Sequence, residues 1–358
     1  MIGVGNCTSA LVQGLAYCKA NGSKAIGVPF PKIGRYTPAD IEVVCAFDID
    51  VRKVGHDLAD AVFAEPNCTT RFWPALTKTG VIVQRGSTLD GVSAFMQNNP
   101  SSIHFIVSDR PEPAQSAVVA AFKEAEVVIN FLPVGSQRAT EFYADCAIKA
   151  GVAFVNAIPV FIASDAQWAK RFAAAKLPVL GDDFKAQIGA TIVHRSLVHL
   201  FDQRGAQVDR TYQLNIGGNS DFLNMMDPER LSSKRTSKTE SVQTVAKQRL
   251  PEENIRIGPS DYVDWLNDQK IAYIRMEGQV FGGVPVHLET RLAVEDSPNA
   301  AAMAIIAIRC ARIALDQRSC GPIETVCGFL FKHPPKPMDD APAYDALTEF
   351  SQSAAARK

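Results

Sequence analysis

Met1-Ile2-Gly3-Val4-Gly5-Asn6-Cys7-Thr8-Ser9 opens the chain with an apolar pair, a Gly-x-Gly turn and the start of a segment, 9–18, with helical spacing of its apolar residues. A Gly-x-Gly turn between a strand and a helix lets backbone N–H groups approach a pyrophosphate at the positive end of the helix dipole. The third glycine of the dinucleotide fingerprint is replaced by Thr8, so the turn alone reads equally well as a plain tight turn. Only Met1 and Ile2 precede Gly3, which makes the first strand very short or the start late.

Outward from this turn, β-branched runs at 41–47, 81–83, 104–107, 127–132 and 152–155 alternate with helix-like segments. That alternation predicts a parallel sheet with crossover helices, an α/β fold of the doubly wound, Rossmann type. Ser136 reads as the N-cap of the helix after Gly135. Asp48, in Ala46-Phe47-Asp48-Ile49-Asp50, ends the second strand, where a ribose hydroxyl is met, while Asp50 could cap the next helix.

After Gly181 the texture changes. Runs at 210–214, 272–276 and 286–294 follow one another without helices between them and predict an antiparallel sheet in a second domain. The intervening 232–241 is polar and basic, a segment that packs poorly until an anion arrives. A strongly helical run at 300–315 then returns to the first domain, and the proline-rich tail from His333 is expected extended on the surface.

With 47% hydrophobic and 21% charged residues over 358 positions, the chain can bury a large core. A formal charge of −1 provides no global field for nucleic acid. The cysteines (7, 18, 45, 68, 146, 310, 320, 327) form no C-x-x-C pair, which fits a reduced, cytoplasmic compartment. The apolar run 300–308 is roughly half the length of a membrane span, so no membrane partner is expected.

Lys185, Lys234, Lys238 and Lys270 supply the strongest chemical signal. Ammonium groups neutralise phosphates, stabilise developing alkoxides and enolates and, when their pKa is lowered, move protons. Each also reads as a solvated surface lysine, least so Lys185, which lies between Asp182-Asp183-Phe184 and an apolar run. His194 and His287 read as buried, hydrogen-bonded histidines. Asp182 and Asp183 could hold a divalent ion near phosphates, or Asp183 could cap a helix or touch a cofactor.

The stretches Gly3-Val-Gly-Asn-Cys, Leu132-Pro-Val-Gly-Ser, Asn156-Ala-Ile-Pro-Val-Phe-Ile-Ala-Ser, Gly181-Asp-Asp-Phe-Lys, Asn215-Ile-Gly-Gly-Asn-Ser-Asp-Phe-Leu-Asn, Ser237-Lys-Thr, Ile257-Gly-Pro-Ser-Asp and Asp296-Ser-Pro-Asn together resemble the bacterial, actinobacterial-type branch of the myo-inositol-1-phosphate synthase family, from Ile2 to about Pro337. The resemblance implies an NAD-binding Rossmann-like domain (1–182), an inserted α+β catalytic and tetramerisation domain (183–295), a C-terminal return (296–345) and a tail (346–358). It also implies a cytoplasmic homotetramer acting on a hexose 6-phosphate. NAD would oxidise C5 of open-chain glucose 6-phosphate and acidify C6, the C6 enolate would attack C1, and C5 would be reduced again, giving an inositol phosphate with no net redox change.

By the same resemblance Lys185, Lys238 and Lys270 are catalytic, and Gly3, Gly5, Asn6, Cys7, Asp48, Asp57, Ala125, Tyr143, Asp183, Ala186, Asp221 and Lys234 lie near NAD. The segment 232–241 becomes a lid, and a divalent or monovalent cation stays open. Ala186, Ser220, Ile271 and Glu295 depart from the family pattern of Ser, Met, Trp and Trp, and crowd the expected site. They leave two alternatives: a cyclase closing a five-membered cyclitol from fructose 6-phosphate, and a catalytically silent NAD-binding regulator.

Overall fold

The computed structural model describes residues 1–100, 102–227, 230 and 232–356, with the backbone alone at 94, 232–236 and 354–356. The first part of the chain runs α1 (Asn6–Asn21), β1 (Phe47–Asp48), α2 (Leu58–Ala61), β2 (Gln84–Arg85), α3 (Ala94–Gln97), α4 (Gln115–Phe122), β3 (Val127–Asn130), α5 (Gln137–Ala150), β4 (Ala153–Asn156), α6 (Ala166–Ala174) and β5 (Pro178–Leu180). It continues with α7 (Ala190–Gln203), β6 (Gln207–Gly217), α8 (Ser220–Asn224), α9 (Ser232–Gln243), β7 (Ile255–Tyr262), β8 (Gln269–Val280), β9 (Val284–Glu295), α10 (Asp296–Asp316), β10 (Gly321–Pro322), α11 (Glu324–Leu330) and α12 (Asp340–Ala356).

The first strand is a single residue. Ile2 bridges Phe47 on one side and Asn130 on the other, both in parallel. Its carbonyl accepts from Phe131 N at 2.8 Å, and Gly3 N donates to Phe47 O at 2.8 Å. Ile2 thereby joins the pair β2-β1 to the sheet β3-β4-β5-β10, all parallel. Numbered along the chain, the spatial order is 3-2-1-4-5-6-7, the Rossmann order with one added strand, and the ligand crevice of such a sheet opens where the order reverses. Here that point lies between the Gly3 turn and the loop after β3.

The doubly wound expectation holds, with local differences. The run 104–107 contributes only a bridge between Asp50 and Val107, and β5 and β10 went unforeseen because each has only two or three residues. Ser136 does not cap α5: its hydroxyl donates to Pro133 O at 2.7 Å, and the Asp90 carboxylate takes Arg138 N and Ala139 N at 2.7 and 2.9 Å.

Gly3 has φ of +83°, and a Cβ there would sit 2.8 Å from Phe131 O. Both demands exclude a side chain, since the left-handed conformation alone costs roughly 1–3 kcal/mol. Gly3→Ala is therefore expected to lower unfolding stability by at least that amount, measurable as a drop in Tm.

The second sheet has the order β7-β6-β8-β9 and is mixed. β6, β8 and β9 pair antiparallel as expected, whereas β7 lies parallel to β6. A parallel neighbour requires a crossover, which α8 and α9 supply. Gly258 and Pro259 masked β7 in the sequence, and Pro259 is tolerated because β7 is an edge strand. Val198 and Phe201 of α7 and Val242 of α9 pack with Ile255, Ile257, Ile274 and Met276 against one face of this sheet.

α10 is long and apolar enough to cross a membrane by composition, yet Ala301, Ala304, Ile306, Cys310 and Ala314 pack it into the core of the first domain. The tail is not extended throughout. α12 runs across 345/346 and buries Ala343 and Leu347 completely, because its sparse apolar residues recur at helical spacing.

Candidate active site

A cleft of about 1650 Å³, open to solvent, runs from the Gly3 turn to the inner face of the second sheet. On the first domain's side it is lined by Gly3, Gly5, Asn6, Cys7, Asp48 and Tyr143. The residue replacing the third fingerprint glycine stabilises the turn: the buried Thr8 hydroxyl donates to Gly3 O at 2.6 Å. Asp48 Oδ2 accepts from Val4 N at 2.6 Å, which ties the end of β1 to the turn. Gly5 precedes α1, whose first turn holds no acidic residue, and a Cβ on Gly5 would meet nothing within 4 Å. Open space before a bare helix N-terminus suits a pyrophosphate.

Asn6 Oδ1 accepts from Cys68 N and Thr69 N at 2.7 and 3.1 Å, so it shapes the wall through the 68–70 loop. Burial, reinforced by Asp268 and Asp296, pushes the Cys7 thiol up to about 12. Cys7 is a packing residue and no thiolate nucleophile. The Tyr143 hydroxyl accepts from Ser87 N at 3.0 Å and lies where a Cβ on Gly86 would stand, 2.7 Å away.

Two expected cofactor positions lie elsewhere. Asp57 caps α2 through Ala59 N and gathers Thr79 N and Gly80 N, at 2.8, 3.1 and 2.8 Å. Burial alone would raise its carboxyl, but these donors hold it below its ordinary value. Ala125 follows α4 and precedes β3, at the end of the strand opposite the crevice. Neither lines the cleft. The side chain of Lys234 falls outside the described residues.

The lysines sort differently from expectation. Lys238 and Lys270 line the cleft, Lys238 buried on α9 and Lys270 paired with Asp296 at 2.9 Å. Lys185 does not. Its neighbours Phe184 and Ala186 face the cleft, while its own ammonium turns the other way and donates to Gly328 O at 2.8 Å and Asp340 Oδ1 at 3.1 Å. In its stead the cleft receives Lys332, whose ammonium lies 2.9 Å from Asp183 Oδ1 and whose N–H bonds Asp183 O at 2.7 Å. Lys332 was missed because it lies 149 positions from Asp183 in sequence, immediately before the proline-rich stretch read as a surface tail.

Asp183 also accepts from Ser237 on α9 at 2.8 Å, so it joins the motif after β5 to both α9 and the C-terminal return. Asp182 goes elsewhere, accepting from Ile162 N, Ser164 N and the Ser164 hydroxyl at 3.0, 3.0 and 2.8 Å. The two carboxylates therefore turn to different partners. Among the described residues no three His, Cys, Asp or Glu side chains stand together as metal ligands.

Asp268 was also missed. It accepts from Asn219 and the Ser297 hydroxyl, both at 2.9 Å, and burial together with nearby Asp296 pushes it up to about 7. Asp221, in the first turn of α8, lines the cleft as expected.

Of the four departures, Ala186 and Ser220 line the cleft. Ile271 does not, and Glu295 takes Thr70 N and Oγ1, both at 2.8 Å, fastening the second domain to the first.

His194 is buried as expected, its Nε2 2.8 Å from Thr211 Oγ1 and its Nδ1 3.2 Å from Gln213 Oε1. His287 is exposed on β9 opposite Glu277, because that face of the sheet is open. Burial holds His194 down at about 4, the Gln213 contact opposing it. Between pH 6.5 and 4 the unfolded histidine takes a proton that the native one refuses, so this component of stability is lost as pH falls through that window. The unfolding free energy of His194→Gln should therefore gain on wild type as pH drops from 7 toward 4.5, and a constant difference in denaturant titrations at both pH values would contradict it.

A profile of the family described as myo-inositol-1-phosphate synthase matches residues 189–297. The inositol-3-phosphate synthase of Mycobacterium tuberculosis is 49% identical over 98% of this chain and 94% of its own length. This chain belongs to the myo-inositol-1-phosphate synthase family. The inositol-3-phosphate synthase of Corynebacterium glutamicum is 48% identical over 97% of this chain and 96% of its own. The crystal structure of a myo-inositol-1-phosphate synthase-related protein from Thermotoga maritima superposes with a TM-score of 0.82 at 26% identity, covering 98% of this chain and 97% of that one. The α9 segment expected as a lid is a helix whose Ser237, Lys238 and Ser241 are buried.

Proposed function

We infer that this chain is an intramolecular cyclase that converts D-glucose 6-phosphate to 1D-myo-inositol 3-phosphate with NAD regenerated in each turnover. The observation that carries the reading is one cleft with a Gly-x-Gly turn at the switch point on one wall and Lys238, Lys270 and Lys332 on the other. The Gly3 turn, the open space at Gly5, Asp48 and Tyr143 fit NAD. When bound, NAD supplies removal of hydride from the sugar's C5 and its return.

The rest falls to the chain's own side chains. Gly189, Ala190 and Thr191, at the start of α7, line the cleft, and the N-cap has no side-chain partner for the first N–H groups. A substrate phosphate is favoured there. Lys270, held in place by Asp296, donates to a sugar oxygen as negative charge develops on it. Lys238 and Lys332 stabilise the enolate and hold or move protons at the sugar hydroxyls, with Asp183 orienting Lys332.

Purified protein with NAD should yield an inositol phosphate from glucose 6-phosphate, identified by NMR, and no cyclitol from fructose 6-phosphate. A cyclopentane cyclitol phosphate from fructose 6-phosphate would replace this reading. NAD binding without turnover of either sugar would reduce the chain to a silent regulator.

The family's reducing, cytoplasmic setting is supported by eight cysteines that are all free thiols. A second copy of the chain is the natural cover for the open face of the second sheet, where Tyr212, Leu214 and Tyr273 are 37%, 36% and 41% exposed, and the assembly proposed is a homotetramer. Leu214→Asp with Tyr273→Asp should dissociate it, as read by native mass. A monomeric wild type would contradict the assembly.

A further inference from the structure

Lys185, turned out of the cleft, ends in a largely buried cluster of charges assembled from two distant parts of the chain, the 185–195 region and Asp340, whose side chain is 34% exposed. Asp340, in the first turn of α12, places Oδ1 3.1 Å from Lys185 Nζ and Oδ2 2.8 Å from Arg195 Nε. Both cations are almost fully buried, their side chains 3% and 2% exposed. One carboxylate therefore balances two buried cations. Burial alone would raise the Asp340 carboxyl, but the Lys185 ammonium and the Arg195 guanidinium hold it below its ordinary value, so it stays ionised.

Arg195 spends its remaining donors on backbone and hydroxyl oxygens. Nη2 donates to Met338 O at 2.8 Å, and Nη1 to Ser241 O and to Thr244 Oγ1, the latter at 3.2 Å. Ser241 lies in the last turn of α9, where carbonyls have no helical partner and a cation is favoured. The previous turn of the same helix carries Ser237, which bonds Asp183, and Lys238, which lines the cleft. A continuous line of bonded groups thus runs from the C-terminal helix through Arg195 to the helix that presents Lys238.

We propose that Asp340 is a positioning residue for the reaction: by fixing the Arg195 guanidinium it sets the end of α9, and so the aim of the Lys238 ammonium into the cleft. This rests on the reading that Lys238 acts on the substrate. Asp340 touches neither cleft nor cofactor seat, so a brace that merely holds α12 would alter stability and leave the chemistry alone. A positioning role changes kcat, because a displacement of about 1 Å in a reacting group costs on the order of 100-fold.

The test uses the full-length enzyme. Asp340→Asn keeps the shape and removes the charge, leaving two buried cations without their counter-ion. Its kcat with glucose 6-phosphate should fall about 10-fold to 100-fold, while NAD affinity stays at the wild-type value. Amide hydrogen exchange should accelerate in 237–243 and not in the first-domain sheet. Asp340→Glu should restore part of kcat. Arg195→Lys keeps a cation and loses the fork to Ser241, so it should show the same kcat loss and the same loosening even where Asp340→Asn folds poorly.

Wild-type kcat and unchanged α9 exchange in Asp340→Asn and Arg195→Lys would overturn the proposal, as would a kcat loss accompanied by loosening everywhere except α9. A wild type inactive on glucose 6-phosphate would instead remove the functional reading, and faster α9 exchange in the variants would still establish the linkage from Asp340 to α9.

Discussion

Lys270→Ala is expected to lower kcat by about 10²–10⁴-fold, the range associated with loss of one positioned proton-handling or charge-stabilising group, while NAD still binds. Lys270 sits on β8, in register with Val294 of β9, and its ammonium is held 2.9 Å from Asp296 at the start of α10. Two rigid elements fix it, so no neighbouring lysine can swing into its place. The Gly3 turn belongs to the other wall, which is why cofactor affinity should survive. Fluorescence titration of NAD alongside steady-state turnover separates the two effects, and turnover within a few-fold of wild type would remove Lys270 from the chemistry.

The second large effect is a contrast between two lysines. Lys332→Ala is expected to cost about 10²–10⁴-fold in kcat, because it empties the cleft of an ammonium and deprives buried Asp183 of the cation 2.9 Å away. Lys185→Met should leave kcat within about 10-fold of wild type. Its methionine lies in the same buried channel, and Asp340 retains the Arg195 guanidinium at 2.8 Å. The sequence motif Gly181-Asp-Asp-Phe-Lys favours the opposite ranking. Kinetics of both variants under saturating substrate decide between them, and a crippled Lys185→Met beside an active Lys332→Ala would reverse the assignment.

What the sequence made legible follows from where its information is local. The Gly3 turn, α1 and the alternation of runs with helices specify a parallel sheet, because each rests on spacing within about 20 residues. Lys238, Lys270, Asp183 and Asp221 reach the cleft as expected, since each sits at or beside the end of a strand or at a helix that faces the crevice. The direction of Lys185 was not legible. Alternate residues after β5 point to opposite sides, so Phe184 and Ala186 face the cleft and Lys185 faces Asp340, and only the folded position of α12 reveals the partner. Lys332 and Asp340 flank a Pro-rich stretch whose composition resembles a loop, yet Met338 O takes Arg195 of α7 and Lys332 reaches Asp183. Asp57, placed near NAD by the resemblance, caps α2 and gathers Thr79 N and Gly80 N outside the cleft, an arrangement of backbone donors that spacing in the sequence does not display.

The departures at Ala186, Ser220, Ile271 and Glu295 also change meaning in three dimensions. Only the first two bear on the shape of the pocket, and Glu295 has gained a partner in Thr70 that joins the two domains. Three lysines line the cleft, with Asp183 beside Lys332 and Asp296 beside Lys270.

The central claim is that NAD is regenerated within each turnover, and the direct measurement is a reaction with glucose 6-phosphate in large excess over NAD, followed by product NMR and by the absorbance of reduced nicotinamide. Regeneration of NAD gives many equivalents of an inositol phosphate per NAD with no accumulation of NADH. NADH rising in step with sugar consumed, with an open-chain keto sugar as product, would contradict it.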